Sequence, residues 1–274
     1  MYRALLKFIG SSAPLCSFCR VLSNSDSDEL HRSVMNLDFA SPIGFASGFD
    51  PNADYYNAVS ALGGAFEIIG PLSYTESGGI KEAVGKLSRH PASRIKIGIN
   101  ITKREDSSTE EDVARDLSEG FSYAYDFVDF AVFNFAEKAD GSVHELAYIK
   151  AVIDPVLDMR LSYEESKPIL LRLSDRLSGE ELGQILDYCL MSGIDGVFLE
   201  SEMLIGRCRE FSKSRLPVIA LAECGNPSGA ASLLAAGASL IAFRCSPHGF
   251  HPRRFKKLLK EIKNDRRVRN DYRR

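Results

Sequence analysis

Apolar residues in this chain come in short runs instead of strict alternation, and the runs recur. From residue 42 onward, β-branched or aromatic runs of five to seven residues are each followed by a polar turn, and most then lead into a stretch with helical spacing. The runs are Ile43–Ser47, Phe66–Gly70, Lys96–Asn100, Val128–Asn134, Ile169–Leu173, Gly196–Glu200, Val218–Ala222 and Leu240–Arg244. Low polar alternation is the mark of parallel strands covered on both faces. Helical patterns fall between most of them. Asn52–Leu62 places Ala53, Tyr56, Val59 and Leu62 on one side, and Ile80–Leu87 follows a Gly78-Gly79 turn. Thr109 and Ser178 each open a helix in capping-box fashion, with Asp112 and Glu181 three residues on. His144–Met159, Ser228–Ala236 and Pro252–Lys263 complete the set. Eight alternating units in about 230 residues predict an α/β fold, a (β/α)8 TIM barrel, in preference to a doubly wound sheet.

The barrel is expected over residues 36–264, preceded by a basic amphipathic extension over 1–35 and followed by an arginine-rich tail over 265–274. Of 274 residues, 45% are hydrophobic and 26% charged, the balance of a soluble globular protein with an ample core. A net charge of −3 gives no reason to expect nucleic-acid binding. The tail concentrates five arginines against one aspartate over 266–274 and reads as a solvated end or a dock for an acidic partner or membrane surface. No run reaches the length of a membrane-spanning helix. The first 25 residues hold Arg3, Lys7 and Arg20, several serines and no acid. That composition suits a mitochondrial targeting segment or an interfacial helix, and retention of the segment is the expectation.

Four cysteines, Cys189, Cys208, Cys224 and Cys245, sit in or beside apolar segments and read as buried small hydrophobes in a reducing compartment. Cys16 and Cys19 form a lone C-x-x-C without a second ligand pair, so no metal is expected.

Two stretches carry a family resemblance. Asn36-Leu-Asp-Phe-Ala-Ser-Pro42-Ile-Gly-Phe-Ala46-Ser-Gly48-Phe-Asp50 is similar to the first barrel strand of dihydroorotate dehydrogenases, and Ala235-Ala-Gly237-Ala-Ser-Leu-Ile241 to the approach to their eighth. The basic apolar start resembles the membrane-associated, quinone-linked class. In that comparison Asn100 and Asn134 are retained at the ends of strands three and four, whereas Glu137 stands at the position of the serine base and Ala139 at that of a substrate-binding asparagine. Pro51 replaces a lysine that contacts flavin and substrate, Pro71 a flavin-binding threonine, and Arg172 a flavin-contacting lysine. Glu200-Ser201-Glu202 replaces Thr-Asn-Thr. A substrate loop has no counterpart after Ser88-Arg-His-Pro91. The glycine-rich phosphate turn becomes Ala220-Leu-Ala222-Glu223-Cys224, with Arg244 nearby.

The resemblance therefore implies a catalytically inactive family member. Neither catalytic residues nor a cofactor is expected, and Asn100, Asn134, Arg172 and Arg244 are the remnant of a pocket. Such a barrel would serve as a structural or accessory subunit of a larger assembly. It would sit on the matrix side of the mitochondrial inner membrane, with other protein subunits as partners and a membrane-surface contact through residues 1–22. The alternative is a divergent FMN-dependent oxidoreductase with Glu137 as base. A third possibility is a barrel that binds another anion at Arg172 and Arg244.

Overall fold

The computed structural model describes residues 2–10, 12, 15–16, 30–75, 78–89, 95–136, 142–246 and 252–265. It opens with helix α1 (Tyr2–Gly10) and an antiparallel hairpin of β1 (Arg32–Val34) and β2 (Leu37–Phe39). Eight parallel strands follow: β3 (Ile43–Phe45), β4 (Phe66–Leu72), β5 (Lys96–Ile101), β6 (Phe130–Phe135), β7 (Ile169–Leu173), β8 (Gly196–Leu199), β9 (Val218–Glu223) and β10 (Leu240–Arg244). They close into a barrel in chain order, β10 pairing with β3. The TIM barrel expected from the periodicity is the fold.

The helices are α2 (Tyr56–Ala61), α3 (Gly79–Arg89), α4 (Glu110–Ala124), α5 (Leu146–Arg160), α6 (Gly179–Ser192), α7 (Glu202–Ser212), α8 (Pro227–Ala236) and α9 (Pro252–Asn264). Local chemistry sets several of their ends. Thr109 Oγ1 accepts the Asp112 N–H at 3.1 Å, and Ser178 with Glu181 forms a complete capping box at the start of α6. At the other end of α6, Gly193 takes the left-handed conformation, φ 80°. Helix α7 was not anticipated from the sequence, although Leu204, Ile205, Cys208 and Ser212 have the spacing of a buried stripe.

Strand alternation produces two cores. Ile68, Val132, Leu170, Phe198, Ile219, Leu221, Leu240 and Ala242 fill the barrel, together with Phe66 and Phe130. Ile43, Phe45, Ile97, Ile99, Phe133, Leu171 and Val197 face outward to the helices. Inside, small and large residues interdigitate. Gly44 is paired with Phe66 and Gly98 with Phe130. A Cβ at Gly44 would lie 2.5 Å from the Phe66 ring, and one at Gly98 2.4 Å from the Phe130 ring. The hairpin turns through Met35 and Asn36, at φ 55° and 58°, and adds Val34 and Phe39 to the interior at the N-terminal end. It spans the expected boundary at residue 36, and its three-residue strands are too short to register as a periodic run.

Helix α1 lies on the barrel's helical layer. Leu6 and Ile9 are buried, while Leu5 and Phe8 remain 41% and 62% exposed. Lys7 Nζ reaches Asp54 Oδ2 at 2.9 Å, and the Cys16 thiol, just beyond the helix, donates to the Ile9 carbonyl at 3.0 Å. Among the described residues no helix is long and apolar enough to cross a membrane.

Interior packing makes one contrast testable. Gly98→Val should destabilise the protein by about 1–3 kcal/mol through overpacking against Phe130. Gly206→Ala in α7, where a Cβ meets nothing within 4 Å, should instead stabilise by about 0.5–1 kcal/mol. Urea unfolding midpoints read both.

Candidate functional site at the mouth of the barrel

The period of two that buries Val132, Leu170, Phe198, Leu221 and Ala242 carries the next inward residue of each strand to the C-terminal rim. Those residues are Asn134, Arg172, Glu200, Glu223 and Arg244. Register fixes the neighbours: Asn134 is paired with Arg172, and Glu223 with Arg244. All but Glu223 line an open, polar cavity of about 550 Å³, together with Ala136 and residues 173–176. In barrels of this kind the C-terminal mouth is where ligands bind.

Four charged groups of the mouth pair with one another, while the buried Arg172 Nε is left without a hydrogen-bond partner. Arg172 Nη2 donates to Glu200 Oε1 at 2.6 Å, and Arg244 Nη2 donates to the same oxygen at 2.8 Å. Arg244 Nη1 reaches Glu223 Oε1 at 3.3 Å. The Arg172 guanidinium also lies 5.5 Å from the centre of the Phe198 ring, a cation–π distance. Two cations and two anions thus form one chain across β7, β8, β9 and β10.

The expected pocket residues separate into two groups. Asn134, Arg172 and Arg244 converge on the cavity, although the Asn134 side-chain oxygen is used locally, accepting the Ala136 N–H at 3.1 Å. Asn100 lies deeper. It is 2% exposed, donates to Ser47 Oγ at 3.0 Å and leaves its own oxygen without a partner. Glu137 and Ala139 lie outside the described residues, as do Cys19 and the arginine-rich tail.

One expectation is overturned. Cys224 and Cys245 are joined by a disulfide, with Cα atoms 5.4 Å apart, and are exposed and half-buried respectively. They are not buried small hydrophobes. Each stands one residue past its strand, where the chain leaves the apolar layer, and the Glu223–Arg244 register sets them opposite each other. That register, with a cysteine at the same step beyond strands seven and eight, was the available signal. Cys189 and Cys208 do behave as expected: both are free and fully buried, and burial pushes their thiols up to about 12. Among the described residues no group of three or more His, Cys, Asp or Glu side chains could hold a metal ion.

A second cluster sits outside the barrel wall, beneath α1. Asp50 is fully buried and accepts the Asp54 and Tyr55 N–H groups at 2.7 and 2.6 Å. Glu67, on the outward face of β4, is also fully buried, and neither of its oxygens has a hydrogen-bond partner. Burial raises the Asp50 pKa to about 6, against its backbone hydrogen bonds. Burial and then the Asp50 charge push Glu67 well above the usual range. Asp54 titrates the other way. Burial raises it, but the Lys7 and Lys86 ammonium groups outweigh that and hold it low.

No protein-family profile matches the chain. The dihydroorotate dehydrogenase (quinone) of Christiangramia forsetii is 27% identical over 194 residues, covering 61% of this chain and 57% of that protein. The chain thus spans little more than half of that relative's length. The Yersinia pseudotuberculosis protein of the same name is 24% identical over 269 residues, covering 76% of this chain and 80% of its own. Dihydroorotate dehydrogenase from Eimeria tenella, in complex with ferulenol, superposes with a TM-score of 0.75 over 92% of this chain and 90% of that one, at 17% identity. The chain is similar in sequence to dihydroorotate dehydrogenases and shares their barrel fold. In this chain the mouth carries the ion pairs Arg172–Glu200, Arg244–Glu200 and Arg244–Glu223.

The buried acids give a pH signature. The folded state holds protons on Asp50 and Glu67 more tightly than the unfolded chain, so their contribution to stability grows as pH falls and is lost as pH rises through the folded pKa. For Asp50 that window runs from about 4 to about 6, and the effect is on the order of 3 kcal/mol at most. Asp50→Asn should flatten the rise in melting temperature between pH 7 and pH 5 relative to the parent, as read by circular dichroism.

Proposed function

We propose that the chain is a catalytically inactive dihydroorotate dehydrogenase-like barrel that serves as a structural or accessory subunit of a larger assembly. The observation that carries this reading is the pairing of Arg172 and Arg244 with the chain's own Glu200 and Glu223. A flavin site must offer free donors to a phosphate and a backbone that can come close to it. Here the C-terminal half of β9 bears Ala220, Ala222 and Glu223 where the resembling family has glycines, and Cβ atoms obstruct that approach. A phosphate dianion beside Glu223 meets about 4 kcal/mol of repulsion per unit charge at 4 Å and an effective dielectric near 20. Arg244 offers no offset while it is engaged by two carboxylates. The residues present do not suit FMN.

With the pocket given up, the surfaces carry the function. Leu5 and Phe8 project from α1, at the head of a basic segment that contains no acid before Asp26. This suits a membrane-surface contact through residues 1–22 on the matrix side of the mitochondrial inner membrane, with neighbouring protein subunits as partners. The alternative, an FMN-dependent oxidoreductase with Glu137 as base, draws support from the cavity that Asn134 and Arg172 face.

Absorbance and FMN titration of the purified full-length chain separate the two. The inactive-barrel reading requires a colourless protein with no saturable quenching of FMN fluorescence; a yellow protein, or saturable binding, overturns it. Glu200→Gln combined with Glu223→Gln frees both guanidiniums, so inorganic pyrophosphate should raise the melting temperature of that variant and leave the parent unchanged. The assembly is read by native electrophoresis of the endogenous chain. Migration as a soluble monomer would exclude it.

A further inference from the structure

Cys224 directly follows β9 and Cys245 directly follows β10. The strands are neighbours in the ladder, and the Cys224 N–H donates to the Arg244 carbonyl at 3.2 Å. The disulfide between them therefore ties together the two strand ends that carry Glu223 and Arg244, the outermost pair of the ionic chain. The turn beyond is a short loop. Gly225 adopts φ 94°, the Asn226 N–H donates to the Glu223 carbonyl at 3.2 Å, and α8 starts at the next residue.

Access separates this pair from the other described cysteines. Cys16, Cys189 and Cys208 are buried and in no disulfide, and the thiols of the last two are held protonated by burial. A buried, protonated thiol is a poor nucleophile and a poor target. Cys224 is exposed to solvent at the mouth of the barrel, and Cys245 is partly so. A solution thiolate can reach their bond without opening the core. In a reducing compartment, disulfides that form at such positions are transient and redox-sensing in character.

We propose that Cys224 and Cys245 form a reducible dithiol/disulfide site whose substrate class is a dithiol reductant, and that its oxidised form clamps the Glu223 turn beside Arg244. A reductant thiolate attacks the exposed Cys224 sulfur. The Cys224–Cys245 bond breaks, a mixed disulfide forms at Cys224, and Cys245 leaves as a thiolate and takes up a proton. The second thiol of the reductant then attacks the mixed disulfide, and Cys224 departs and is protonated in turn. Two electrons and two protons pass to the protein, and the reductant becomes its own disulfide. With the bond open, the turn past the β9–β10 ladder is left, among the described residues, with the Cys224-to-Arg244 backbone hydrogen bond across the strands, the Asn226-to-Glu223 bond within the turn and the exposed Arg244–Glu223 pair, and exposed ion pairs contribute little. The proposal does not depend on the absence of catalysis.

Trypsin cuts between Arg244 and Cys245, so the bond is visible as peptide Leu216–Arg244 linked to Cys245–Arg253. The full chain, purified without reductant and alkylated at low pH, should yield that linked species. Millimolar dithiothreitol, without denaturant, should then release both peptides in alkylatable form, and oxidised glutathione should restore the link within one chain. Hydrogen exchange should show lost protection over residues 223–226 on reduction. Cys224→Ser should show the same loss whether or not dithiothreitol is present. Two free thiols in the untreated protein would overturn the proposal. So would a bond that yields only after unfolding, or unchanged exchange at the turn.

Discussion

A single carboxylate oxygen organises the mouth of this barrel. Glu200 Oε1 accepts from Arg172 on β7 and Arg244 on β10, at 2.6 and 2.8 Å, and so reaches past β9 to join strands that are not neighbours. The geometry is possible only because the barrel is closed and its strands staggered, which turns inward residues of separate strands into one ring. The energy of each pair is modest, since the side chains are partly exposed. Their effect on ligands is larger than on stability. Without Glu200, two guanidiniums would face the same cavity with no compensating charge between them, which is the arrangement an anion site requires. With Glu200, and with Glu223 on the outer side of Arg244, an incoming anion must displace a carboxylate already in place.

Much of the scaffold was readable because its signals are local and repeated. All eight barrel strands fall within two residues of the runs seen in the sequence, and Thr109 and Ser178 announce their helices through short-range capping chemistry. The hairpin of β1 and β2 was not readable. Its turn uses Met35 and Asn36 in the left-handed region without a glycine, and its strands are stabilised by plugging the barrel instead of by their own pattern. At the site, Asn134, Arg172 and Arg244 stand together at the rim, since strand ends and parity decide that. The sequence did not pair them with Glu200 and Glu223, because which carboxylate satisfies which guanidinium depends on stagger between strands. Asn100 illustrates the same limit: its strand end is right, but Ser47 draws it into the interior.

The acid cluster outside the wall links the barrel to its N-terminal helix. Asp50 holds the backbone of Asp54 and Tyr55, and Asp54 in turn pairs with Lys7 of α1 and Lys86 of α3. The loop after β3 is therefore fixed from within by one carboxylate and presents a second to the helix that covers it. Burying Asp50 and Glu67 together is costly unless protons are retained. The raised pKa values follow directly from that cost. Tyr56, lifted to about 12 by burial and by both acids, stays protonated alongside them. The expected amphipathic extension is thus divided in function, with Leu6 and Ile9 packed inward and Leu5 and Phe8 left to face outward.

These layers vary independently, and that independence explains how the fold can persist while the rim changes. Interior packing rests on Gly44 with Phe66 and Gly98 with Phe130, at the base and middle of the strands. The rim begins one inward step above and makes no demand on that packing, so carboxylates can replace glycine or hydroxyl groups there without a cavity or a clash below. A TM-score of 0.75 at 17% identity is what such a division produces: the barrel is specified by volume and parity, which tolerate many sequences. The chemistry of the mouth is specified by a handful of polar atoms that the core does not constrain. Fold kinship therefore locates the site and leaves its activity to be decided by the charges that occupy it.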